Sequence, residues 1–259
     1  MVQKKIGLAL SGGGARGFAH IGVLKVLEEN GIRVDLIAGT SAGSIVGAAY
    51  AAGLSAAEVE AVGRKIRWSN MTRFSYSPRA VFSNAVMGKF IRRHFPAERF
   101  EDLKIPFAAV ACDLIGGEAV VLKDSGDLIF AIRASCAVPG VFAPLRDDED
   151  RLLVDGGVVE PIPTKTLKEM GADVVIAVDL LAAGATFRSV PRTVLGMFLQ
   201  SAMTMLRVAS RNQHYHADVV IIPEIAHLRP DEISKREEFI ELGGQAARAR
   251  IEEIKMLVG

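Results

Sequence analysis

Seven short runs in this chain, residues 6–10, 34–38, 107–111, 119–122, 152–154, 174–178 and 219–222, read as strands, and several are apolar at every position. A strand with one wet face alternates; a strand apolar throughout needs cover on both faces, which is the condition of a central strand in a parallel sheet. Helical patterns near 18–30, 42–52, 55–66, 85–94, 126–135, 163–170, 191–211 and 237–258 fall between the runs. The alternation predicts an α/β fold, a three-layer α/β/α arrangement around a mostly parallel central sheet. No internal repeat is visible, which sets solenoids and propellers aside.

With 259 residues, half of them hydrophobic, the chain has material for one sizeable core, and no Pro-, Gly- or Ser-rich linker divides it. A single domain over residues 1–259 is expected. Thirty-one basic residues face thirty acidic ones, so no overall field draws in nucleic acid, and no nucleic-acid partner is expected. The two cysteines, Cys112 and Cys136, suit small buried hydrophobes in a reducing compartment and have no zinc-type spacing. The apolar run after Met1 to Lys5 is too short for a secretion signal. Residues 36–57 carry no charge and place Gly39, Gly43 and Gly47 at membrane-helix spacing, but Gly39-Thr-Ser41 breaks the stretch, and burial inside a soluble domain fits it better. A cytoplasmic protein is expected, with a peripheral place on the inner membrane face left open.

Two glycine-rich turns follow the first two strands. In the first, Gly12, Gly14 and Gly17 satisfy the G-x-G-x-x-G spacing of dinucleotide sites. Asp35 lies near the distance of a ribose-binding acid but at the wrong end of its strand. Amides exposed in such a loop donate equally well to a phosphate or to the oxyanion of acyl transfer, so the loop alone leaves a phosphate site, an oxyanion hole and a plain tight turn open. Arg16 reads as a substrate-steering cation or as half of a carboxylate pair.

The second turn, Gly39-Thr-Ser-Ala-Gly43, matches G-x-S-x-G, in which glycines two residues either side of Ser41 let strand and helix cross closely around a strained nucleophile. An ordinary helix N-cap is the alternative for Ser41. A serine hydroxyl needs a base. An ordinary hydrolase would recruit His214, His216 or His227, but His214 and His216 close a helix without a third metal ligand or an evident carboxylate partner, and are expected to complement the helix end. His20 and His94 read as helix-face residues. Asp155-Gly-Gly157, at the carboxyl end of a strand, offers an aspartate base, or an Asp-Gly turn and nothing more.

Taken in order, Gly12-Gly-Gly-Ala-Arg-Gly17, Gly39-Thr-Ser-Ala-Gly43 and Asp155-Gly-Gly157 resemble the patatin-like phospholipases, specifically short bacterial members related to the neuropathy target esterase domain. Supporting segments include residues 19–24 and 134–144, together with Pro161 and Pro163; the resemblance covers about residues 4–180 and carries no departure at a motif position. It implies a patatin-like fold and a lipid acyl hydrolase of phospholipase A or lysophospholipase type. Ser41 becomes the nucleophile and Asp155 its only partner. The loop with Gly12, Gly13, Gly14, Arg16 and Gly17 becomes the oxyanion hole, chiefly through Gly13 and Gly14. No cofactor or metal is implied. From Arg188 onward no motif matches.

One segment bears on lipid independently. Residues 64–93 hold Arg64, Lys65, Arg67, Arg73, Arg79, Lys89, Arg92 and Arg93 and no acidic residue, interleaved with Trp68, Met71, Phe74, Tyr76, Phe82 and Met87. Cations among aromatics suit the surface of an anionic membrane; a solvated face packed over the core is the alternative. Met197, Met203 and Met205 further on suit an acyl pocket, a core stripe or the face of an oligomer, which stays open.

Overall fold

The computed structural model describes residues 4–75, 78–182 and 193–258; the first three residues, Tyr76, Arg188 and the start of the helix expected at 191–211 lie outside them. In chain order the elements are β1 (Ile6–Leu10), α1 (Phe18–Glu29), β2 (Leu36–Thr40), α2 (Ala42–Ala51), α3 (Ala56–Gly63), α4 (Trp68–Met71), β3 (Arg73–Phe74), β4 (Ala80–Ser83) and α5 (Ala85–His94). There follow β5 (Phe107–Asp113), β6 (Ala119–Lys123), α6 (Leu128–Ser135), β7 (Gly140–Phe142), β8 (Leu145–Arg146), β9 (Leu152–Asp155) and α7 (Thr164–Glu169). The last are β10 (Val174–Val178), α8 (Val194–Gln213), β11 (Val219–Ile221), α9 (Arg236–Arg248) and α10 (Ile251–Val258).

The wholly apolar runs are the centre of the main sheet, as their patterning requires: every residue of β1, β2 and β10 is buried. The sheet runs β11-β10-β1-β2-β5-β9-β8, with β6 also pairing β5. The five strands from β11 to β5 are parallel, so the fold is α/β with a mostly parallel central sheet. Alternate residues feed opposite faces. Leu8, Leu10, Ile37, Ile176 and Val178 join the larger cluster, which includes side chains of α1, α2 and α9, whereas Ala9, Ala38, Val175 and Ala177 join a thinner one that includes Leu167 of α7 and Ile162 just before it.

Runs 119–122 and 152–154 form strands, β6 and β9, but both lie antiparallel to β5. The reason for β6 is length: five residues separate it from β5, and a parallel crossover needs a dozen or more. The other departures are local. A second sheet, β3-β4-β7, stands where the sequence shows no alternation, and the single C-terminal helix expected at 237–258 is two, α9 and α10. α9 crosses α1 with backbones in contact, since a methyl group at Gly22 would overlap the Ile240 carbonyl and one at Gly243 the Ala19 carbonyl. Residues 36–57 form β2, α2 and the start of α3, and no helix among the described residues is long and apolar enough to cross a membrane. Cys112 and Cys136 are both buried and free.

Candidate active site

β2 passes into α2 through one residue, Ser41, whose backbone is held at φ 53° and ψ −124°. A non-glycine residue there is strained and persists only when its surroundings fix it. The fixing contacts are evident. The Ser41 amide donates to Ser135 Oγ (2.9 Å), and the Ser41 carbonyl accepts from the Ser44 amide (2.8 Å) and Ser44 Oγ (2.7 Å). A side chain at Gly39 would collide with Gly43, and one at Gly43 with the Leu10 carbonyl, so the glycines are steric requirements of this crossing. The Ser41 side chain makes no capping hydrogen bond to α2, which removes the N-cap alternative.

Asp155 reaches Ser41 by a route that parallel strands would not supply. β2 and β9 lie along the same edge of β5, because β6 occupies the opposite edge. Thr40, the last residue of β2, pairs with Val110, and Asp155, the last residue of β9, pairs with Ala111. The two strands therefore meet end to end, running in opposite directions. Asp-Gly-Gly then turns the chain away: Gly156 presses on the Val110 carbonyl, and the Gly157 amide donates to Asp155 Oδ1 (2.8 Å). The turn uses only Oδ1. Oδ2 is buried without a hydrogen-bond partner. Burial pushes the Asp155 carboxyl up from 3.8 to about 6, against the opposing pull of the neighbouring Ser41 hydroxyl and then of the Gly157 amide.

The first glycine loop flanks the same point. The Gly12 amide donates to Pro161 O (3.1 Å), Ala15 to Pro230 O (2.7 Å) and Arg16 to Gly13 O (3.2 Å), which leaves the amides of Gly13 and Gly14 without an acceptor among the described residues. Gly14 has φ +60°. Gly12 and Gly17 are packing positions: a Cβ on Gly12 would lie 3.2 Å from Ser41 Cβ, and one on Gly17 2.7 Å from Ala42 Cβ. Arg16 does not stand exposed to steer a substrate. It is buried, with Nη2 donating to Leu228 O (2.7 Å) and Nη1 to Leu180 O (3.3 Å). The sequence pattern shows its proximity to the loop but not that it reaches carbonyls more than 160 residues away.

No histidine hydrogen-bonds Ser41 or Asp155. His20 is fully buried on α1 against Ser11 O (2.9 Å), and desolvation pushes it down to about 4. His94 contacts Phe90 O, His227 pairs with Glu238, and His216 packs edge-on to Tyr215. His214 departs from expectation: its partner is the buried carboxylate of Asp179 (2.7 Å), a contact made across 35 residues. Among the described residues no group of His, Cys, Asp and Glu could hold a metal ion. Asp35, the would-be ribose acid, pairs with Arg33 and accepts from the Ile6 amide at the amino end of β1, away from the glycine loop.

Beside Gly14 and Ser41 an apolar cavity of about 190 Å³ opens between helices. Ala42, Ile45, Val46 and Ala49 of α2 line one wall, and Met87, Phe90 and Phe95 close another. Successive turns of α2 give it a length of ~10 Å. Trp68, half exposed, and Val138 also line it. Cys136 lies between the cavity and the elbow, with Sγ 3.7 Å from Ser44 Oγ. A nucleophile beside an unpaired basic oxygen, two free amides and a greasy cleft can together carry out acyl transfer, whereas the apolar lining is unsuited to a nucleotide.

The basic segment is partly neutralised. Arg64 pairs with Glu60 and Glu237, and Arg92 with Glu98, supplied by neighbouring elements. Lys65, Arg73, Lys89 and Arg93 are exposed, as are Trp68 and Phe74, the latter at 77%.

Known proteins agree with this reading of the fold. The patatin-like phospholipase family model matches residues 8–168. Patatin-like phospholipase domain-containing protein 6 of Mus musculus is 40% identical over 184 residues, which is 68% of this chain and 13% of that protein. An uncharacterised NTE family protein of Mycobacterium tuberculosis is 38% identical over 179 residues, again 68% of this chain and 49% of its own. The chain thus matches about half the length of the mycobacterial relative and a small part of the animal one. A protein of Coccidioides immitis described as a lysophospholipase is 38% identical over 185 residues, covering 68% of this chain and 12% of that protein. The crystal structure of VipD from Legionella pneumophila shares the fold, with a TM-score of 0.67 at 13% identity, over 97% of this chain and 67% of that one. On the family model and these identities, the chain belongs to the patatin-like phospholipase family.

Proposed function

We propose that this chain hydrolyses acyl esters of lipids through a Ser41 and Asp155 dyad, with Gly13 and Gly14 as the oxyanion hole. The observation that carries the reading is Asp155 Oδ2, a buried carboxylate oxygen with no partner beside a strained serine at the mouth of an apolar cavity. Asp155 takes the Ser41 proton as Oγ attacks the ester carbonyl, and the Gly13 and Gly14 amides meet the charge that develops on the carbonyl oxygen. The carboxyl group returns its proton to the departing alkoxide, leaving an acyl-enzyme. Water, activated by the same carboxylate, releases the acid. No cofactor or metal enters these steps.

The cavity takes the acyl chain, and its almost wholly apolar lining favours lipid esters over short soluble ones. One cavity suits one acyl chain, as in a lysophospholipid. Trp68 and Phe74, with Lys65, Arg73, Lys89 and Arg93, form the surface that rests on an anionic membrane. Two buried free thiols suit work on the reducing, cytoplasmic side. The test is fluorophosphonate labelling with peptide mapping, followed by hydrolysis of an ester panel graded in chain length and headgroup. Labelling at Ser41 and a preference for long single-chain esters are expected; labelling elsewhere, or indifference to chain length, refutes the reading.

A further inference from the structure

The last turn of α8 holds both halves of the site without touching Ser41. Gln213 Oε1 accepts from the Ile162 amide (2.7 Å), its Nε2 donates to Val159 O (3.3 Å), and its carbonyl accepts from Thr164 Oγ1 (2.8 Å). These contacts grip the segment that leaves Asp155, and within it Pro161 O receives the Gly12 amide (3.1 Å). One residue on, His214 Nε2 donates to Asp179 Oδ2 (2.7 Å), which also accepts from Ser210 Oγ (3.1 Å).

Asp179 is fully buried just past β10, and its Oδ1 accepts the amides of Leu181 (2.7 Å) and Ala182 (3.0 Å). The residue between, Leu180, braces the glycine loop directly: its amide donates to Ser11 Oγ (2.9 Å) and its carbonyl accepts from Arg16 Nη1 (3.3 Å). Gln213 and His214 thus join, through one helix turn, the Asp155 side and the oxyanion side. Core building does not account for this turn, because from Gln200 to Gln213 only Ser210 is buried.

We propose that Gln213 and His214 are positioning residues, which fix the spacing between the Gly13 and Gly14 amides and the Ser41 and Asp155 pair. An oxyanion donor works over a narrow range near 2.7–3.1 Å, and a misplacement of about 1 Å costs on the order of a hundredfold in rate. The inference rests on the Ser41 reading given above. It also goes beyond the sequence expectation that His214 complements the helix end.

The test compares Gln213→Ala and His214→Ala with Gln213→Glu and His214→Gln, using a fluorophosphonate to count reactive sites. Gln213→Glu keeps the acceptor for the Ile162 amide, and His214→Gln keeps an N–H donor for Asp179. Per titrated site, kcat should fall about tenfold in the alanine variants with KM within twofold, and the conservative variants should recover most of it. Amide hydrogen exchange should quicken in residues 11–17 and not in β1 or β2. Unchanged kcat per titrated site with lowered thermal stability overturns the proposal, since the turn then only supports the fold. An alanine variant too unstable to titrate shifts the decision to the conservative pair, whose kcat per site must then lie near wild type with loop exchange restored. A wild-type protein inert to both fluorophosphonate and esters would instead overturn the Ser41 reading itself.

Discussion

Replacing Asp155 with asparagine should make the protein less active and more stable, and the second effect should depend on pH. Burial raises the carboxyl from 3.8 to about 6. The folded chain therefore holds a proton between those values that the unfolded chain has lost. The stability associated with it is full below about pH 4 and is lost as pH rises through about 6. At 1.36 kcal/mol per pH unit the loss is about 3 kcal/mol. The asparagine carries no charge to desolvate, and its side-chain oxygen can still accept from the Gly157 amide. Relative to wild type, the variant should gain up to about 3 kcal/mol at pH 8 and almost nothing at pH 4. For a chain of this size that is roughly 6 to 12 °C in melting temperature. Thermal and urea unfolding at pH 4, 6 and 8 measure it directly. Over the same range wild-type kcat/KM should rise through about pH 6 as the base ionises, while the variant loses at least about a hundredfold in kcat. A stability difference that is equal at pH 4 and pH 8 would refute the reasoning, because the carboxylate would then not be desolvated in the folded state.

Ser41→Ala should abolish fluorophosphonate labelling and ester hydrolysis while leaving the melting temperature equal or higher, since the strained elbow keeps its backbone contacts; labelling of the variant at another serine would count against the dyad. Gly14→Ala should lower kcat and stability together, the latter by about 1–3 kcal/mol. The added methyl would lie 2.6 Å from Pro230 O at φ +60°, so it displaces the loop and its amides rather than the oxyanion itself, and a pure rise in KM would point to a ground-state anion site. Changing Lys65, Arg73, Lys89 and Arg93 to Ser should weaken binding to anionic vesicles, each cation supplying about 1 kcal/mol at low salt, with hydrolysis of a soluble ester unaffected. Wild-type vesicle binding by that variant would make the segment a merely solvated face.

Much of the fold is legible because its strongest signal is local. The runs at 6–10 and 174–178 are strands to the residue, since five consecutive apolar positions bounded by turn residues are too short for a buried helix and fit a strand covered on both faces. Strand direction is less legible. β6 and β9 are found in sequence but not their antiparallel sense, which depends on connection length and on which edge of β5 is vacant. β3 and β7, of two and three residues, carry too little pattern to be read at all. The partners of Arg16 and His214 are also hidden: hydrogen bonds to Leu228 O and Asp179 span 212 and 35 residues and follow no periodicity.

The sequence points to Asp155 through its strand-end position, a reason appropriate to parallel strands. The structure places it at Ser41 through an end-to-end meeting of opposed strands on β5. That difference bears on the chemistry. A carboxylate at its ordinary pKa near 3.8 is a weak base toward a serine hydroxyl, and catalysis improves as the base approaches the working pH. Arriving from the opposite direction, Asp155 sits beneath its own Gly-Gly turn, where one oxygen is satisfied by the Gly157 amide and the other is buried without a hydrogen-bond partner, the pull of the neighbouring Ser41 hydroxyl only partly offsetting the desolvation of the carboxylate. A hydrogen bond to Oδ2 from any donor other than Ser41 would stabilise the fold and lower the pKa together, and it would compete for the oxygen that must take the serine proton. In the proposed dyad the unsatisfied oxygen and the lack of a histidine partner go together: a serine and an aspartate alone would serve only where the carboxylate is left basic, and leaving it basic costs the fold stability at the pH where such a dyad would operate.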